Sequence, residues 1–251
     1  MKGFGPETFG ELNAENYDSM LMPAMEAVTR DSVDVLADLA RGGTVLELAI
    51  GTGRVALPLA ARGLSVHGIE ASEKMVAKLR EKPGGDAIPV TIGDMADVAV
   101  DGDFDLIFLV FNTIFNLTSQ EAQVRCFHNV AKHLTAEGVF VVETFLPPIS
   151  EFVDGQSVRA TEGTIHSAGL EVRMHDPVAQ TIGYQRILIT EDGARLDPLF
   201  LRYAWPSELD LMARLAGLEL RERWGWWDRS PFTADSTSHV SVYARAERSG
   251  C

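Results

Sequence analysis

The stretch Val45-Leu-Glu-Leu-Ala-Ile-Gly-Thr-Gly-Arg54 constrains the fold of this chain more than any other. An aliphatic run, a turn with two glycines and a helical pattern up to Arg62 read as a strand feeding a helix through a tight loop. Gly51 and Gly53 carry no Cβ, so a ligand can approach the backbone there. The same switch from strand to helix points free N–H groups into the cleft. Gly51-x-Gly53-x-x-Ala56 also satisfies the dinucleotide fingerprint, which leaves the kind of nucleotide open.

The flanking sequence extends this unit into an alternating series. Strands are predicted at 44–48, 65–70, 87–92, 104–111 and 138–145. Helices are predicted at 72–82, stopped by Pro83-Gly84-Gly85, and after Thr118, with Thr118 and Glu121 in capping-box spacing. The fourth strand is apolar on both faces, as expected for the middle of a helix-covered parallel sheet. The amphipathic region 14–39 predicts one or two helices ahead of the first strand. Such alternation gives an α/β fold with right-handed crossovers and a mostly parallel, doubly wound sheet.

After Pro147-Pro148 the pattern changes. Segments 157–166, 169–176, 180–190 and 196–204 read as strands joined at Ser167-Ala168-Gly169, Asp176-Pro177 and Glu191-Asp192-Gly193. That is an antiparallel β cap, inserted before a last helix at 207–216 and terminal strands at 218–224 and 239–246. Pro58, inside the first crossover helix, is expected to remove one hydrogen bond and bend that helix.

Composition narrows the function. The 251 residues carry a formal net charge of −14 and no basic run, which argues against nucleic acid as a partner. The apolar runs are too short to span a bilayer, and no apolar signal segment follows Lys2. Cys126 and Cys251 supply neither a disulfide framework nor a cysteine-rich metal site, so no metal is expected. A cytoplasmic protein is the expectation.

Two acidic residues lie at strand ends beside the glycine turn. Glu70 ends the second strand, where a carboxylate can accept from both ribose hydroxyls. Asp94-Met95 follows the third, where an acid can accept from an adenine amino group and Met95 can pack on the ring. Glu47-x-Ala49-x-Gly51-x-Gly53, Gly68-Ile69-Glu70-Ala71-Ser72 with Met75, Gly93-Asp94-Met95 and Phe104-Asp105-Leu106 with Phe111-Asn112-Thr113 together resemble class I S-adenosylmethionine-dependent methyltransferases. The likeness covers about residues 13–146, with a weaker echo in 203–217. It implies a Rossmann-like fold, S-adenosylmethionine as cofactor and S-adenosylhomocysteine as product.

On that resemblance Glu47 supports the glycine loop near the methionine ammonium, Glu70 holds the ribose, and Asp94 and Met95 hold the adenine. Tyr17 matches an aromatic that closes over the methionine end, and Arg54 meets either the cofactor carboxylate or a surface ion pair. Where Gly is usual this chain has Ala49, tolerable if the backbone there keeps φ negative. The expected organisation is one methyltransferase domain. It comprises N-terminal helices at 1–42, a cofactor-binding core at 43–146, the cap at 147–204 and a C-terminal part of the core at 205–251.

The cap and the loop from Phe111 further resemble small-molecule enzymes of the aminosugar N-methyltransferase type. Those have a histidine near the place of Asn116, so a base role does not transfer to that position. Substrate-facing candidates are Asn112, Asn116, Tyr184, Arg186 and Trp226. Catalytic candidates are His175 and Asn112. His128 and His133 read as solvated, His67 as remote from the reactive end, and His166 and His239 as strand-flanking. The expected partner is a small-molecule acceptor for N- or O-methylation, with association into a homodimer left open. Two alternatives stand beside this reading: an NAD(P)-dependent oxidoreductase, and a protein that binds S-adenosylmethionine without turnover.

Overall fold

The computed structural model describes residues 5–97 and 100–246. Cys251 and the segment around Lys2 lie outside the described residues. The chain opens with α1 (Thr8–Asn13) and α2 (Tyr17–Ala40). It continues with β1 (Thr44–Leu48), α3 (Ala56–Ala61), β2 (Ser65–Glu70), α4 (Glu73–Arg80) and β3 (Val90–Ile92). β4 (Phe104–Leu109), α5 (Gln120–His133) and β5 (Leu134–Phe145) complete the alternating part.

A meander of β6 (Gln156–Gly163), β7 (Ser167–Asp176), β8 (Thr181–Thr190) and β9 (Gly193–Arg202) follows. Then come α6 (Pro206–Leu215), β10 (Leu218–Trp224) and β11 (Ser238–Arg245).

The main sheet has the order β10-β11-β5-β4-β1-β2-β3. β1 to β5 run parallel, and β11 enters antiparallel to β5. Strand order reverses between β1 and β4, and in such sheets ligands bind beyond the carboxyl ends at that switch point. Both faces are covered. Leu46, Ile107, Phe140 and Val142 pack with Phe127 of α5 and Leu209 of α6. Val45, Leu106, Phe108 and Val141 pack with Leu36 of α2 and Leu59 of α3. The second sheet, β6-β7-β8-β9, is antiparallel throughout, and Ile182 and Leu201 tie it to the first of these cores.

Several local expectations are corrected. Helix α5 is capped by Ser119, not Thr118: the Ala122 N–H donates to Ser119 Oγ at 3.1 Å. The first cap turn closes at 164–166, before Ser167, because Thr164 Oγ1 accepts from the His166 N–H and pairs with Ser167 Oγ. β3 starts at Val90, since Gly85–Ala87 forms a 3-10 turn. Pro58 occupies the third position of α3, where an N–H has no partner inside the helix, so it removes no helical bond. α1 lies ahead of the predicted helical region. His239, read as opening a terminal strand, is the second residue of β11 as expected and is fully buried, with Nε2 at 2.8 Å from Thr144 Oγ1.

Candidate active site

The loop between β1 and α3 is built from left-handed residues: Ala49 at φ 58°, Gly51 at 58° and Gly53 at 79°. The condition of a negative φ at Ala49 is therefore not met; its methyl group sits in a conformation that costs an L-residue about 1–2 kcal/mol. A Cβ on Gly51 would meet only Ala49 O at 4.0 Å, and one on Gly93 nothing within 4 Å, so both face open space. Glu70 braces the loop: Gly51 N–H donates to its Oε2 at 2.8 Å and Ser72 N–H to its Oε1 at 2.9 Å. Asp94 Oδ1 accepts from Ala96 N–H at 2.9 Å.

Ala49, Gly51, Glu70, Gly93 and Asp94 line one narrow cleft, in which Ala71, Met75 and Met95 supply apolar wall, whereas the predicted Gly53 does not line it, and a Cβ there would run into Leu79 Cδ1. Phe9 and Gly10 of α1 also line it, a contribution that the sequence did not reveal. Tyr17 borders this cleft, an inner compartment lined by Glu47, Gly51 and Arg54, and a much larger cavity. Glu47 is buried and its Oε2 has no hydrogen-bond partner. Burial pushes its carboxyl well above the usual range, against the pull of the Arg54 charge and the Ala56 N–H. Among the described residues Arg54 forms no surface ion pair. Its Nη1 donates to Thr29 Oγ1 at 2.9 Å and its guanidinium stacks on Phe111.

The larger cavity, about 1030 Å³, shares Tyr17, Thr113 and Asn116 with the cleft. Leu199, Leu201 and Tyr184 of the cap form apolar wall, and Trp226 closes another side. β7 and its neighbours add a charged face. Arg159 Nε donates to Glu171 Oε1 at 3.0 Å, Arg186 lies 3.6 Å from Glu171, and Arg173 Nη2 donates to Glu151 and to Ser157 Oγ. Glu171 and Arg173 are buried, and Arg173 Nε has no hydrogen-bond partner. Burial pushes the Tyr184 hydroxyl up to about 12.

Of the two catalytic candidates, Asn112 lines the cavity and His175 does not. The His175 ring lies 4.8 Å from that of Phe152, and Nε2 pairs with the Tyr203 hydroxyl at 3.0 Å. Asn112 Oδ1 is committed to the Phe145 N–H, and the Asn112 backbone is left-handed at φ 60°. Phe111 and Asn112 form a strained double turn strapped to β5, because Phe111 N–H donates to Glu143 Oε2 and Asn112 N–H to Glu143 O. Glu143 and the pair Glu171 and Arg173 were missed in the sequence. A carboxylate directly after the apolar run Val139–Val142 was the available signal for Glu143.

A parallel sheet with a reversal beside a glycine loop, two acids at successive strand ends and an adjoining second cavity fit a nucleotide-dependent enzyme with room for a second substrate. The antiparallel course of β6–β9 removes the second mononucleotide half that a dehydrogenase needs. A family profile described as methyltransferase domain matches residues 45–138. The solved CcbJ methyltransferase from Streptomyces caelestis is 41% identical, with a TM-score of 0.82 over 87% of this chain and 89% of that one. The cypemycin N-terminal methyltransferase of a Streptomyces species is 28% identical over 96% of this chain and 98% of its own length. A dTDP-3-amino-3,6-dideoxy-alpha-D-glucopyranose N,N-dimethyltransferase from Streptomyces fradiae is 29% identical over 65% of this chain and 63% of its own. The chain belongs to the S-adenosylmethionine-dependent methyltransferases.

The residues present fit that cofactor. A buried carboxylate oxygen without a partner suits an ammonium group, and Glu70 and Asp94 keep accepting capacity beyond their backbone bonds. Gly51 and Gly93 leave backbone free for close approach.

Proposed function

We propose that the protein methylates an amine on a small, polar, water-soluble acceptor held in the 1030 Å³ cavity between the cofactor cleft and the cap. The cavity carries this reading, because it is large enough for a sugar-sized molecule and walled by arginines and carboxylates as well as leucines. The relatives whose names specify an acceptor nitrogen support the amine. S-adenosylmethionine supplies an electrophilic methyl group on a sulfonium.

In this reading Glu47 receives the cofactor ammonium, Glu70 the ribose hydroxyls, and Asp94 with Met95 the adenine. Gly51, Ala49, Ala71 and Met75 shape the cleft. Tyr17 stands where cleft and cavity meet and Phe111 between the cavity and the inner compartment, excluding water and fixing the line of approach. Asn116, Tyr184, Arg186 and Trp226 orient the acceptor. The methyl donor is a cytoplasmic metabolite, which supports action in the cytoplasm.

The test is transfer of labelled methyl from S-adenosylmethionine to paired acceptors: dTDP-aminosugars and a peptide with a free N-terminus, each beside its hydroxyl analogue. Label on the amines alone is the expected result. Label on the hydroxyl analogues alone would overturn the amine assignment.

A further inference from the structure

Glu143 sits near the carboxyl end of β5 and lines the large cavity while being 3% exposed. Its two oxygens are treated unequally. Oε2 accepts from Phe111 N–H at 3.1 Å and from Trp227 Nε1–H at 3.3 Å. Oε1 takes no hydrogen bond among the described residues, yet it is not among the fully enclosed polar atoms that lack a partner. A carboxylate held rigidly by one oxygen, with the other left free, costs desolvation that a purely structural strap would not require. Of the two residues it fixes, Asn112 lines the cavity, and Phe111 stands between the cavity and the inner compartment of Glu47 and Arg54.

We infer that Glu143 Oε1 receives the protonated amine of the acceptor and removes its proton before or during methyl transfer. This rests on the amine-methyltransferase reading above. The N–H bond of the acceptor ammonium breaks and an O–H bond forms at Oε1. The freed nitrogen lone pair forms the N–CH₃ bond as the S–CH₃ bond breaks, and its electrons return to sulfur, leaving S-adenosylhomocysteine. The proton then leaves Oε1 to solvent through the cavity. The sequence candidates do not fill this role: His175 is outside the cavity, and an Asn112 amide cannot titrate.

The surroundings make this carboxylate a stronger base than an exposed one. Burial pushes the Glu143 carboxyl above its ordinary value, opposed by Phe111 N–H, Trp227 Nε1–H and the Arg54 charge. Glu47 on β1 and Tyr17 on α2 share the influence of Arg54. On β11, His239 is held neutral by burial, with its pKa lowered to about 4. Across the cavity stand Glu151, Glu171, Asp235 and the arginines 159, 173 and 186.

The experiment compares wild type with Glu143→Gln, loaded with S-adenosylhomocysteine for calorimetry and supplied with S-adenosylmethionine for turnover. Calorimetry uses cyclohexylamine as a probe and cyclohexanol as its uncharged control. Turnover of the best amine from the panel above is followed against pH. The expected results are cyclohexylammonium binding weaker by about tenfold in the variant, unchanged cyclohexanol binding, and kcat/KM reduced at least about tenfold with loss of its acidic limb. Unchanged amine binding and an unchanged pH profile would overturn the inference, whereas failure of both proteins to bind S-adenosylhomocysteine would strike at the methyltransferase reading instead. If Glu143→Gln does not fold, Trp227→Phe serves. It removes one donor from Oε2 and is expected to move the acidic limb to higher pH; an unmoved limb would count against Glu143.

Discussion

The Arg54 guanidinium carbon lies 3.3 Å from the centroid of the Phe111 ring, and its charge acts on both Glu47 and Glu143. One cation thus serves two buried acids at the border between inner compartment and cavity. Both acids are held above their ordinary range by burial, and Glu70 is raised for the same reason.

That arrangement fixes the sign of a pH effect. Between the unfolded and folded pKa values of Glu47 the native state binds more protons than the unfolded chain, so this group's contribution falls as pH rises through the window. An ammonium placed against Glu47 favours the ionised form. Between the unfolded and folded pKa values of Glu47, binding of S-adenosylhomocysteine is therefore expected to release protons, read as a dependence of calorimetric enthalpy on buffer ionisation heat. Glu47→Gln should weaken that dependence and flatten the fall in melting temperature above pH 5; an unchanged dependence would refute the assignment of Glu47.

Ala49 at φ 58° makes a second prediction. Glycine relieves the left-handed strain but loses more entropy on folding, so Ala49→Gly should stabilise the protein by about 0.5–1 kcal/mol. Urea unfolding measures this directly. Destabilisation would mean that the methyl group contributes packing that outweighs its strain.

Three ion pairs fasten the N-terminal segment to α4 and the turn after it. Glu11 meets Lys74 at 3.2 Å, Glu15 meets Lys78 at 3.1 Å and Asp18 meets Lys82 at 2.7 Å. Exposed pairs contribute little to global stability and are screened by salt. Lys74→Glu with Lys78→Glu should leave the melting temperature nearly unchanged while speeding hydrogen exchange of the α1 amides. High salt should do the same to wild type. Exchange that responds to neither change would show that apolar contacts alone hold α1.

Arg202 is buried and joins three elements. It donates to Glu208 Oε1 at 2.7 Å on α6 and to Gln123 Oε1 on α5, and Gln123 Nε2 donates back to Arg202 O at 2.8 Å. Burial alone would raise the Glu208 carboxyl, but bonds from Arg202, Gln180 and Gln120 bring it below its ordinary value. Arg202→Met should cost about 3–5 kcal/mol in urea unfolding at neutral pH. The deficit should shrink as pH falls through the folded Glu208 pKa, because that carboxylate's contribution is lost there even in wild type.

Much of this was legible in the chain itself. Hydrophobic period, glycine positions and the acids at strand ends are local properties, so the β-α alternation, the cleft, and Glu47, Glu70 and Asp94 could be read from neighbours within a few residues. The antiparallel meander followed from its turns in the same way. The tertiary structure decided what depends on distant partners. Glu143 became a half-anchored carboxylate only when Phe111 and Trp227 met it across 32 and 84 positions. Arg202 gained Gln123 across 79, and His175 was turned against Tyr203. No short pattern records such meetings, because burial and hydrogen-bond direction are properties of the packed whole.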